Sequence, residues 1–210
     1  MKHNMKRSDI IKMVIAIAAA LLLIAALAVC LFFLLSGQRI GGVPTLAVET
    51  PPKQSAADRG EFTVDVTVSD LGDALYPAAS LSVEFDPSRL EFLGIDEGNV
   101  FVTDSADGTK NGKKLPEWNV NAEACNKSGV INVMYLDMTG GRYAFSRDLL
   151  GRGDHTVLRL KFRLRGSARA GEVYELNIKD AVFAASDETE SLASSNGTLK
   201  TQNGRVAVGK

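Results

Sequence analysis

The chain is poor in the side chains that build metal centres and cross-links. It has two histidines, two cysteines and one tryptophan in 210 residues. Beyond the first forty residues only His155 and Cys125 remain of the soft ligands, too few for a zinc site. Cys30 lies inside a long apolar run and Cys125 far downstream, so no intramolecular disulfide is expected. An exported domain of this kind must be held by its core. Net charge is also lacking: 24 basic against 25 acidic residues gives −1, which removes the electrostatic case for nucleic acid. Aromatic residues are scarce at 7%. Trp118 reads as core and only Tyr76 and Tyr143 are left as candidate exposed rings, so a stacking platform for sugars is poorly provided. No nucleophile motif surrounds His155. The loose carboxylates Glu84, Asp86, Asp96 and Glu97 could act as a glycosidase pair only if two faced each other in a cleft, which a flat sandwich face would not offer. A non-catalytic protein is expected.

One thing is present in excess. Met13–Leu35 runs for 23 residues without a charge. As a helix at about 1.5 Å per residue it spans roughly 34 Å, enough for a hydrocarbon core of about 30 Å. Lys2, Lys6, Arg7 and Lys12 precede it, opposed only by Asp9, and Arg39 alone follows closely. The positive-inside rule then gives a cytoplasmic tail (1–12), a transmembrane helix (13–35), and the remainder outside a cell membrane crossed once. A cleavable signal peptide fits less well, because the run is too long and Leu34-Leu35-Ser36-Gly37 is a poor cleavage site. Val29 before Cys30 likewise spoils a lipoprotein site. Residues 36–43 form a short linker, reaching at most about 28 Å. The domain of residues 44–210 is therefore expected close to the membrane.

Period-two alternation dominates that domain. Phe62, Val64, Val66 and Val68 alternate with polar residues, as do Leu81, Val83 and Phe85, then Leu158, Leu160, Phe162 and Leu164. Asp86-Pro87 ends the second run sharply. Further strands are expected at Leu46–Glu49, Trp118–Val120, Val130–Asp137, Val173–Ala184 (broken near Lys179-Asp180) and Gly204–Val208, with one short helical turn within 140–150. Outside the membrane almost no helix is expected. About nine strands imply an all-β, jelly-roll β-sandwich.

Five segments in order resemble the cohesin domain, the receptor module of cellulosome scaffold proteins. They are Gly60-Glu61-Phe62-Thr63-Val64-Asp65-Val66, the corner Phe85-Asp86-Pro87-Ser88-Arg89-Leu90-Glu91, Gly129-Val130-Ile131-Asn132-Val133 leading to Asp137-Met138-Thr139-Gly140, Leu158–Phe162 followed by Ser167-Ala168-Arg169-Ala170-Gly171, and Asn203-Gly204-Arg205-Val206-Ala207-Val208. The resemblance runs from about Leu46 to Val208. It implies nine strands in two sheets, with strands eight, three, six and five offering a flattish face to a dockerin. It places the calcium ions on the dockerin, so no cofactor is expected on this chain. It also implies that well-known cohesins carry an Asn-x-Asp pair where this chain has Ala78 and Ser80.

On that face the third strand presents Ala78, Ser80, Ser82 and Glu84. If Ile131, Val133 and Tyr135 point inward, Asn132, Met134 and Leu136 point outward. Two apolar side chains on an outer face suggest a partner surface; the competing expectation is that residues 104–128 or 140–150 cover them. Asp137, Glu117, Asn119, Asn121, Glu175 and Asn177 are candidates for its rim. Other signals read as ordinary structure. Arg159, Lys161, Arg163 and Arg165 suggest a solvated strand face before they suggest a contact with anionic wall polymer. Arg152-Gly153-Asp154 reads as a turn. Asp104, Asp107 and Asn111 lack the alternation a calcium loop requires. Asn126 and Asn196 head glycosylation sequons. The expected function is docking of dockerin-bearing proteins at the cell surface. The alternatives are a carbohydrate-binding module for plant polysaccharide or a structural domain of a membrane-proximal assembly.

Overall fold

Alternating sequence becomes strand where one face has a core to enter, and burial follows parity along each long strand. The computed structural model describes residues 42–57, 59–104, 114–139, 142–150 and 155–210. The expected tail, membrane helix and most of the linker lie outside the described residues, as do the middle of the loop after Asp104 and the Arg152-Gly153-Asp154 turn. Among the described residues no helix is long and apolar enough to cross a membrane.

The strands are β1 (Thr45–Val48), β2 (Gln54–Ser55), β3 (Glu61–Val68), β4 (Ala78–Glu84), β5 (Leu90–Glu97), β6 (Thr103–Asp104), β7 (Asn119–Val120), β8 (Val130–Leu136), β9 (Tyr143–Ala144), β10 (Thr156–Leu164), β11 (Val173–Ala184), β12 (Leu192–Ala193), β13 (Lys200–Gln202) and β14 (Gly204–Gly209). One sheet has the order β13-β1-β3-β10-β5. The other runs β2-β14-β11-β4-β8-β7, with β12 also on β11, and β6 pairs with β9 separately. The two larger sheets share one core. Leu81, Val83 and Phe85 enter it from β4 and its end, and Leu158, Leu160 and Phe162 from β10. Phe85, Phe92 and Phe162 meet edge-on, with Phe162 5.7 Å from Phe85 and 5.6 Å from Phe92. A second group joins Tyr135, Phe145 and Phe183, with Phe145 5.1 Å from Tyr135 and 5.4 Å from Phe183.

The Asp-Pro corner carries the chain from one sheet to the other. Asp86 Oδ1 accepts from the Ser88 N–H at 2.9 Å and from its hydroxyl at 2.6 Å. The Asp86 carbonyl accepts from the Leu90 N–H at 2.9 Å. Asp supplies these acceptors while Pro87 removes a donor that would otherwise be left open.

Helix is scarce among the described residues, as expected, but one short α-helix stands where the sequence reads as loop. Helix α1 (Ala122–Ser128) precedes β8, capped by Asn121 at its start and by Gly129, at φ 71°, at its end. Tyr76 is also not exposed: only 1% of its surface is accessible. It bridges to Phe145 in backbone pairing, which draws its ring inward. The expected helical turn within 140–150 is the 3₁₀ turn Arg147–Leu149.

The sequon residue Asn126 has a structural task. Its Oδ1 accepts from the Phe92 N–H at 3.0 Å, and its Nδ2 donates to the Phe92 carbonyl at 2.7 Å and the Ala122 carbonyl at 2.9 Å. Strand β5 is an edge strand, so Asn126 pairs backbone groups that no neighbouring strand reaches. The basic stripe on β10 is likewise absorbed. Arg159 meets Asp65 at 3.2 Å, Lys161 meets Asp96 at 2.8 Å and Arg163 lies 3.6 Å from Glu91. Flanking strands therefore neutralise most of it.

Tyr135 donates its hydroxyl to the Tyr143 carbonyl at 2.7 Å and fixes the end of β8. Burial first, and then the carboxylates of Asp137 and Glu117, push its pKa up from 10.0 to about 12.

Two outcomes follow from these contacts. Asn126→Ala lowers unfolding free energy by about 3 kcal/mol, because about 1 kcal/mol attends each of the three partly buried hydrogen bonds lost. Asn126→Asp is no better, since a carboxylate cannot donate to Phe92; urea melts of the three proteins check both. The pKa of Tyr135 is raised on folding, so its stabilisation is complete below pH 10 and is lost as pH rises through about 12. Thermal melts between pH 9 and about pH 12 therefore show a shallower decline in Tyr135→Phe than in the wild type.

Candidate functional site

Strand β4 is the centre of an exposed sheet face because it pairs on both sides. Its partners are β8, antiparallel with Ala78 opposite Leu136, Ser80 opposite Met134 and Ser82 opposite Asn132, and β11, with Glu84 opposite Asn177. Alternation puts Leu81 and Val83 into the core and leaves Ala78, Ser80 and Ser82 half-buried on the outer floor, with Glu84 exposed at its end.

On β8 the same parity buries Ile131, Val133 and Tyr135 and turns Asn132, Met134 and Leu136 outward. Met134 is 52% exposed and Leu136 48% exposed. Neither is covered by the described residues of the neighbouring loops. Met138 continues the apolar strip at 84% exposed. Asn119 stands beside Met134 across the β7–β8 pairing. A shallow depression beside Met134 is lined by Ser80, Ser82, Asn119, Asn121 and Asn132. Its polar floor is pre-ordered: Ser82 donates its hydroxyl to Asn132 Oδ1 at 2.7 Å.

Three rim candidates sit differently from expectation. Asn121 is not a strand residue; its side chain accepts from the Ala124 N–H at 3.0 Å as the cap of α1. Asp137 is committed to a turn. Its Oδ1 accepts from the Thr139 N–H at 3.0 Å and its Oδ2 from the Tyr143 N–H at 3.1 Å. Glu175 pairs in register with Arg205 on β14, away from β4. Asn177 does border the face, opposite Glu84, and Glu117 is exposed just before β7.

The face also holds residues that alternation alone missed. A bulge between Ile178 and Asp180 shifts the parity of β11. Beyond it Asp180 lies opposite Ser82, Val182 opposite Ser80 and Ala184 opposite Ala78. The bulge is held by Asn203, whose Oδ1 accepts from the Ile178 N–H at 2.9 Å. The signal was present in the sequence as the break near Lys179-Asp180, but its effect on which side chains face outward follows only from the pairing. The face thus has two ends. Rows Leu136–Ala78–Ala184 and Met134–Ser80–Val182 are mostly apolar, whereas Asn132–Ser82–Asp180 and the Lys179–Glu84 ion pair, at 3.5 Å, are polar.

Among the described residues no group of three or more His, Cys, Asp or Glu side chains is placed to hold a metal ion. Every described aromatic side chain is buried or half-buried, and Tyr143 carries the Lys114 ammonium 4.6 Å from its ring centre.

The fold has many solved counterparts. The third ScaC cohesin of Acetivibrio cellulolyticus, solved with a ScaB dockerin, matches with a TM-score of 0.57 at 14% identity, over 80% of this chain and 99% of that one. The sixth cohesin of scaffoldin B from the same organism, solved with a Cel5 dockerin mutant, gives 0.56 at 20% identity over 80% and 99%. A cohesin–dockerin complex named for OlpA, from Clostridium thermocellum, gives 0.55 at 15% identity, again over 80% and 99%. At these identities the likeness is one of fold. No curated protein sequence matches. The family model described as the cohesin domain matches residues 49–201, most of the chain and all of the outer face on β4 and β8. The protein belongs to the cohesin family.

Proposed function

We propose that the face on β4, β8 and β11 is a receptor surface for a dockerin, and that the protein is a non-catalytic docking module. The observation that carries this reading is the pair Met134 and Leu136, half-exposed at the middle of a polar-rimmed sheet face in a cohesin. The similar cohesins solved with dockerins support it. Calcium belongs to the dockerin in this reading, so chelation acts on the partner and leaves this chain intact.

The partner's chemistry follows from the rows. Ala78 and Ser80 stand where well-known cohesins carry an Asn-x-Asp pair. Flanked by Leu136, Met134, Ala184 and Val182, they favour an apolar segment over a polar one at that end. The polar end, with Asn132, Ser82 and Asp180, favours hydrogen-bonding groups.

Residues 13–35 anchor the module in this proposal, with the N-terminus in the cytoplasm and the cohesin domain outside the cell. The uncharged run and its basic flank support that arrangement. The short linker favours a membrane-proximal partner. Binding to plant polysaccharide is the weaker alternative, because no described aromatic ring is exposed for stacking on sugars; a structural role in a membrane-proximal assembly is the other.

The tests are direct. Burying Met134 or Leu136 is worth roughly 1.5 kcal/mol, about tenfold in affinity. The double variant Met134→Asp/Leu136→Asp is therefore expected to lose calcium-dependent binding to dockerins of the source organism, measured by titration with and without chelator. Retention on insoluble cellulose, with no dockerin bound, would sink the proposal. For the anchor, the full chain is expected to stay in the membrane pellet after alkaline carbonate washing, and a chain lacking residues 1–36 to leave it. Recovery of both in the soluble fraction would refute the anchor.

A further inference from the structure

The other sheet carries a second feature that docking does not use. At the far end of β10 the side chains of Arg59, Arg163 and Arg165 line a depression of about 500 Å³, with Glu91 as its one carboxylate and Ser167 on its wall. The three guanidinium groups differ in how far the protein engages them. The Arg165 N–H donates to the Arg89 carbonyl at 2.8 Å and its Nε to the Leu90 carbonyl at 3.3 Å, which fixes the stem, and among the described residues its terminal nitrogens have no hydrogen-bond partner. Arg163 Nε is buried with no hydrogen-bond acceptor, since Glu91 Oε2 at 3.6 Å is too distant to accept. Arg59 lies over Gly166, so close that a Cβ there would come within 2.8 Å of its Nη1. Among the described residues it has neither a hydrogen bond nor an ion pair.

The contrast with the rest of β10 is informative. Arg159 and Lys161 are each within 3.2 Å of a carboxylate. At the Arg163 end Glu91 and Glu61 flank the strand in register, but of the two only Glu91 lines the depression, against three arginines. Arg89 nearby is engaged with Glu172 at 3.8 Å and leaves the balance unchanged. Guanidinium forks match the oxygens of phosphate and carboxylate, and several lining one depression favour a tetrahedral, doubly charged group.

We propose that Arg59, Arg163 and Arg165 form a binding site for a tetrahedral oxyanion, either free phosphate or the phosphate of a small monoester. The site lies on the sheet opposite the β4–β8 face and does not depend on what that face binds.

Calorimetric titration of the full chain with inorganic phosphate at low ionic strength tests it. Saturable binding is expected, weakened about tenfold by Arg59→Ala and by Arg165→Gln, each of which removes one charge-assisted contact. Lys161→Gln, which removes an equal charge from the same strand, should leave affinity unchanged. Arg59 is exposed, so its variant keeps the test valid even if a β10 variant misfolds, which circular dichroism would reveal. Tighter binding of glycerol phosphate assigns the site to a monoester, and equal binding assigns it to the free ion. Absence of saturable binding, an equal loss in Lys161→Gln, or displacement by acetate as effective as by sulfate would overturn the site.

Discussion

Strand β4 is hydrogen-bonded along its whole length to β8 on one side and to β11 on the other, and this double pairing constrains the rest of the sandwich. Its register decides which side chains enter the core. With Leu81 and Val83 inside, Ala79 is also inside and Ala78, Ser80 and Ser82 are outside. A slip of one residue would bury the serines and expose the core. The aromatic packing of Phe85 on Phe162 resists that slip, and so does the Asp86 corner, which fixes where β4 ends.

The outer face inherits its character from the same register. Small residues on the central strand stand between larger ones on both neighbours, so β4 forms a low floor between Met134 and Leu136 on one side and Val182 on the other. The bulge in β11 changes that floor. Without it, Ala181 and Phe183 would point outward and Val182 inward; with it, Phe183 packs against Phe145 and Val182 joins the face. One extra residue near Lys179 therefore serves both the core and the surface.

The long strands were legible because each buries one face, and alternation is the direct consequence. Met134 and Leu136 were legible for the same reason, as apolar residues at outward positions of a regular strand. What alternation could not convey was irregular. Helix α1 has only seven residues, and Cys125 is its one buried side chain, so it carries no helical stripe to read. Asn121 looked like one more residue of a strand because a cap is defined by its φ and ψ, and by the N–H it receives. Tyr76 lies between turn and strand, where parity is undefined. Asp180, Val182 and Ala184 follow a bulge, and a bulge reverses every assignment after it.

Asn126 and β5 have a bearing beyond stability. A sheet ends where its last strand still offers N–H and C=O groups, and such an edge invites a strand from another molecule. Here a side chain from helix α1 occupies both groups of Phe92, near the start of the strand. A copy of the same domain arriving at that side would find the ladder interrupted at Phe92. Strand addition along β5 therefore meets a side chain already holding the groups it would need at Phe92.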